Sequence, residues 1–163
     1  MNSETQFQDA KMLLGQLIAC PSLSREEEGT ASIIERFFKS KNIPTKRLHS
    51  NIWASNLLFD TSKSTILLNS HHDTVKANAS WTLDPFSATE IDGKLMGLGS
   101  NDAGASLVCL ISTFCHFYEA KLPFNLVIAA TGEEEISGAN GIESLLNSSE
   151  FTEISWAIIG EPT

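Results

Sequence analysis

Apolar residues at helical spacing open the chain. Over residues 5–19, Phe7, Leu13, Leu14, Leu17 and Ile18 fall on one face, and Pro21 ends the run. A second helix is expected from Ser24, because Glu27 three residues on completes a capping-box pattern. Ile33, Ile34, Phe37 and Phe38 give that helix an apolar face up to about Lys41. Residues 45–49 and 52–59 carry less regular, strand-like patterns.

The texture then changes. Thr65-Ile66-Leu67-Leu68-Asn69, Asn125-Leu126-Val127-Ile128-Ala129-Ala130 and Trp156-Ala157-Ile158-Ile159 are compact apolar runs. Such runs read as strands buried on both faces. Between the first two lies an expected helix, Ala103 to Ala120, with Leu107, Leu110, Ile111, Phe114 and Phe117 on one side. A shorter helix is expected around Asn140–Leu146. The alternation argues for an α/β fold, a mostly parallel mixed sheet flanked by helices. No internal repeat, low-complexity segment or linker interrupts it.

Composition narrows the function classes. The 163 residues suit one domain with a sizeable core, and 42% hydrophobic residues argue against disorder. A net charge of −9 argues against a nucleic-acid or anionic-membrane partner. No apolar run approaches the roughly 20 residues of a membrane span. Gln16 interrupts the apolar stretch Met12–Cys20, and Glu4 and Asp9 precede it, where a secretory signal wants positive charge. Three cysteines without a C-x-x-C pair fit a reducing compartment. A cytoplasmic protein is expected. From Lys121 to Thr163 there is one lysine, no arginine and seven acids, which either face water or surround a cation.

Each of the three apolar runs leads into residues with metal-ligand chemistry, and ligands of open α/β sheets sit beyond the carboxyl ends of strands. The first leads into Ser70-His71-His72-Asp73. On an extended strand His71 and Asp73 share a side and His72 points away, so Asp73 can fix the His71 ring. The bland reading is a pair of surface histidines. Gly97-Leu98-Gly99-Ser100-Asn101-Asp102 resembles a phosphate loop, but Asp102 replaces its third glycine and would repel phosphate. The bland reading of Asp102 is a helix N-cap. The second run leads into Glu133-Glu134-Glu135, where adjacent glutamates differ in direction, so one can bind metal while its neighbour handles a proton. A solvated acidic face is the alternative. The third leads into Gly160-Glu161-Pro162, otherwise a plain turn.

Taken together, these motifs resemble the zinc-dependent deacylase and exopeptidase family. It contains acetylornithine deacetylase, succinyl-diaminopimelate desuccinylase, aminoacylase and several carboxypeptidases. The resemblance runs from Ser70-His71-His72-Asp73-Thr74-Val75 through Trp81, Pro85-Phe86, Asp92-Gly93-Lys94 and Gly97-x-Gly99-x-x-Asp102 to Thr131-Gly132-Glu133-Glu134-Glu135 and Gly160-Glu161-Pro162. It implies that His71 and Glu161 ligate a first metal, Glu135 a second, and that Asp102 bridges them. Asp73 would orient His71, and Glu134 would be the general base and acid. It also implies two divalent ions, zinc first, although cobalt and manganese use such ligands too. Five converging carboxylates (Asp73, Asp102, Glu134, Glu135, Glu161) carry five negative charges, which two zinc ions nearly balance.

The match has gaps. In the family the second metal also takes a histidine from much later in a longer chain, and His49, His72 and His116 are poor substitutes. His116 lies about 20 Å from Asp102 along the expected helix, at about 1.5 Å per residue. The smaller domain through which the family forms homodimers and closes over substrate is not encoded. Residues 1–163 are therefore expected to be the N-terminal portion of a catalytic domain, with one metal position incomplete and weak or no hydrolysis alone. Gly104 stands where many members have lysine, and Gly-Leu-Gly-Ser-Asn-Asp-Ala-Gly looks closest to an acetylornithine or succinylornithine deacetylase branch. The expected substrate is a small N-acyl amino acid, with a role in arginine biosynthesis. The alternatives are a dipeptidase, carboxypeptidase or desuccinylase activity, or a non-catalytic metal-binding domain.

Overall fold

A computed structural model describes residues 2–162. Two amphipathic helices come first, α1 (Ser3–Ile18) and α2 (Glu28–Ser40). The strands β1 (Lys46–Leu48), β2 (Asn51–Ser55) and β3 (Thr65–His71) follow. Next come a hairpin, β4 (Thr89–Ile91) and β5 (Lys94–Met96), and helix α3 (Ser106–Phe117). The chain closes with β6 (Asn125–Thr131), α4 (Ile142–Leu146) and β7 (Trp156–Ile159).

Five strands form one sheet in the order β1-β2-β6-β3-β7. The β1–β2 and β2–β6 pairs are antiparallel, whereas β3 pairs parallel with β6 and β7. This is the mixed α/β sheet the apolar runs call for. Alternation along the strands fills two cores. Ile52, Leu68, Leu126, Ile128 and Ala130 face α1, α2 and α3, while Trp53, Leu67, Val127 and Ala129 face Leu145 of α4. The chain steps from β3 to β6 and back across β3 to β7. Right-handed crossovers then put α3 and α4 on opposite sides of the sheet and open a crevice at the carboxyl ends.

Three expectations need correction. Ser24 and Glu27 do not form a capping box. The helix begins at Glu28 without a side-chain cap, because Ser24 Oγ instead donates to Asp73 Oδ2 (2.7 Å) and Glu27 faces inward. Helix α3 begins at Ser106 rather than Ala103. Asp102 (φ −110°, ψ 99°) and Ala103 (φ −117°, ψ 28°) are non-helical inside the irregular turn Ser100–Ala105, so Asp102 is no N-cap. Strand β7 is not buried on both faces: Trp156 is 73% exposed, and Ile158 and Ile159 are exposed too. It is an edge strand paired only with β3 among the described residues. The hairpin went unread. Its turn is Asp92-Gly93, with φ of 51° and 74°, the positive values a tight two-residue hairpin needs.

Candidate metal centre

Register explains why distant motifs meet. His71 pairs with Thr131, and Asn69 with Ile159, so the carboxyl ends of β6, β3 and β7 lie level. Two bonds fix the last of these ends: Gly160 N donates to Asn69 O (2.8 Å), and Ser70 Oγ donates to Gly160 O (2.7 Å). Glu161 follows directly. From the other side Gly99, at φ 73°, turns the chain so that Asp102 reaches over the end of β3.

His71 is the buried hub. Its Nδ1 lies 3.0 Å from the Asp73 carbonyl oxygen and 3.3 Å from Asp73 Oδ1. Both are acceptors, so Nδ1 is held as the donor and Nε2 is the nitrogen left for a cation. Around Nε2 stand Asp102 Oδ1 at 3.1 Å, Glu161 Oε2 at 3.6 Å and Glu134 Oε2 at 3.8 Å. Burial opposes protonation of the ring. The hydrogen bond and charge of Asp73, with the charges of Glu161 and Glu134, outweigh it and raise the His71 pKa to about 9. Burial and neighbouring acids likewise push the carboxyls of Glu135 and Glu161 above their ordinary value. Asp73 goes the other way. Burial would raise it, but bonds from His71, Ser24 and the Glu134 and Glu135 amides hold it low.

Two overlapping triads result, His71–Asp102–Glu135 and His71–Glu134–Glu161, each offering ligand atoms within 4.8 Å of one another. Imidazole nitrogen with carboxylate oxygens is the donor set that zinc and similar divalent ions take. The residues present therefore fit such a cation, and a cation would relieve the crowding of the acids. His71 belongs to both triads, and Glu134 lies only slightly farther from it than Glu161 does. Beside the centre a cleft of about 440 Å³ is lined by residues including Ser70, Thr131, Ile142, Glu143 and Glu161.

Residues 67–163 match the family described as peptidase family M20/M25/M40. The chain belongs to that family. The succinyl-diaminopimelate desuccinylase of Cereibacter sphaeroides strain KD131 is 30% identical over 164 residues, covering 95% of this chain and 43% of the relative. The acetylornithine deacetylase of Shigella sonnei is 34% identical over 162 residues, covering 90% of this chain and 41% of the relative. The chain thus spans under half the length of these family members. Among solved structures, a Bacillus subtilis protein described as a dinuclear metal-binding peptidase of the M20 family shares the fold. Its TM-score is 0.72 at 19% identity, over 96% of this chain and 43% of the other.

His72 turns away from the centre, as strand alternation requires. It is buried, with Nδ1 2.8 Å from Thr30 Oγ1 and Nε2 2.9 Å from the Ser50 carbonyl oxygen. Sequence reasoning missed Ser24, Glu27, Asn51 and Glu133. Ser24 and Glu27 read as helix caps and Glu133 as one acid of three. Only the position of that acidic run directly after a buried strand signalled that part of it was enclosed.

Proposed function

We propose that this chain supplies the N-terminal part of the catalytic domain of a metal-dependent amidohydrolase acting on small N-acyl amino acids. The observation that carries this reading is the convergence of Asp102, Glu134, Glu135 and Glu161 on one buried histidine at the carboxyl ends of three strands. The assigned roles are His71, Asp102, Glu135 and Glu161 as ligands of two divalent ions, Asp73 as the group orienting His71, and Glu134 as proton carrier. Bound there, the ions would acidify a water and polarise the scissile carbonyl. Glu134 takes the proton of the attacking water on its carboxylate and returns it to the leaving amine nitrogen. Its side chain is exposed toward the cleft, where such a transfer can reach substrate. Asp73, buried and ionised, keeps the proton of His71 on Nδ1 throughout.

N-acetylornithine or N-succinylornithine is the proposed substrate, on the strength of the glycine-loop resemblance and the Shigella sonnei relative's name. A desuccinylase reading draws equal support from the Cereibacter sphaeroides relative. The later histidine of the second metal position and the dimerising domain would belong to sequence beyond the share of the relatives that this chain covers. Comparing turnover of N-acetylornithine, N-succinyl-diaminopimelate and a dipeptide by the intact polypeptide separates the substrate classes. Glu134→Gln tests the mechanism. It should abolish turnover while metal content stays the same, and full turnover in that variant would refute the assigned base.

A further inference from the structure

The backbone that presents Glu134 and Glu135 is held from outside, one amide at a time. Gly132 N donates to Asn51 Oδ1 (3.1 Å) and Glu133 N to Glu27 Oε1 (3.0 Å). Glu134 N and Glu135 N donate to the two oxygens of Asp73, at 3.1 and 3.2 Å. Four consecutive amides thus depend on three side chains from other segments. The hold is needed, because Glu133 (φ 57°) and Ser137 (φ 48°) sit in the left-handed region. Residues other than glycine enter it at a cost and stay only where their surroundings enforce it. The loop is also wound tightly on itself. The buried Glu133 carboxylate accepts from Asn140 N and Nδ2, and a Cβ on Gly141 would lie 2.7 Å from Gly132 O.

Asp73 already serves His71. Glu27 has no such second duty. Only 1% exposed, it lies just before α2 and accepts from Arg25 N (2.8 Å), Glu133 N (3.0 Å) and Ser50 Oγ (3.3 Å). All three donors are uncharged. An apolar side chain of the same size would leave the Glu133 amide buried without a partner. We propose that Glu27 is a positioning residue: through its acceptor oxygens it locks the Gly132–Glu135 backbone so that Glu134 and Glu135 face His71, and thereby sets the centre's affinity for a divalent cation. The affinity clause rests on the metal-centre reading given under Proposed function.

The test uses the chain with cobalt(II) as the probe, read by its visible absorption and by chelator competition. Hydrogen–deuterium exchange at the 132–138 amides gives a second readout that needs no metal. Glu27→Ala should speed exchange at the Glu133 amide and weaken cobalt binding by about tenfold or more, the loss usual when a group orienting ligands is removed. Glu27→Gln should keep both near wild type, since its oxygen still accepts from Glu133 N while its amide donates to Ser50 Oγ. Phe38→Leu, in the helical core, should lower thermal stability and move neither readout. If Glu27→Ala does not fold, Glu27→Asp, one methylene shorter, should show the same loss. Wild-type exchange and affinity in Glu27→Ala would overturn the proposal. So would Glu27→Gln failing like alanine, or Phe38→Leu matching it. If the wild-type chain binds no cobalt, the metal-centre reading and the affinity clause fall, and the exchange arm alone decides the lock.

Discussion

At the scale of single residues the site is a contest between burial and charge. His71 moves from an ordinary 6.5 to about 9 in the fold. A group whose folded pKa is raised contributes stability that is full below its unfolded value and lost as pH rises through the folded one. The metal-free chain should therefore lose stability between about pH 6.5 and 9, with Glu135 and Glu161 acting in the same sense at lower pH. Urea midpoints at pH 6 and pH 9.5 in the presence of chelator check this. A midpoint that holds or rises would contradict the carboxylate cage around His71. The thiols offer an independent check on burial. Cys109 is exposed, whereas burial raises the Cys115 thiol to about 11. Iodoacetamide at pH 8 should alkylate Cys109 well before Cys115, and the reverse order would place α3 wrongly.

At the scale of elements the apolar pattern was a good guide to type and position, because period and run length register burial directly. β3, β6 and β7 appear where their apolar runs lie. Exposure of β7 was not legible, because Trp156-Ala157-Ile158-Ile159 reads the same whether or not anything covers it. Identical chemistry in different surroundings should then cost differently. Ile128→Ala, in the core, should destabilise the chain by about 2–5 kcal/mol. Ile158→Ala, on exposed β7, should stay within about 0.5 kcal/mol. Urea denaturation of the two variants measures both. Local signals failed where tertiary partners won. Ser24 and Glu27 have the spacing of a cap, yet both spend their oxygens on groups far away in sequence, the Asp73 carboxylate and the Glu133 amide.

At the scale of the whole molecule, one sheet edge collects what the sequence scatters. His71, Asp102, Glu135 and Glu161 span 91 positions, and each was legible because it ends a strand or follows a strand or glycine turn. The hold on the glutamate loop was not legible, since it depends on how α2, β2 and β3 pack. No helix among the described residues is long and apolar enough to cross a membrane. Together these side chains are proposed to form a divalent-metal centre. Its most direct test is the melting temperature of chelator-treated protein with and without zinc at about a hundred times the dissociation constant. Linkage at that excess contributes about 2.7 kcal/mol, a rise of roughly 5–10 °C for a chain of this size. His71→Ala should abolish it. An unchanged melting temperature in the wild-type chain would contradict the metal centre.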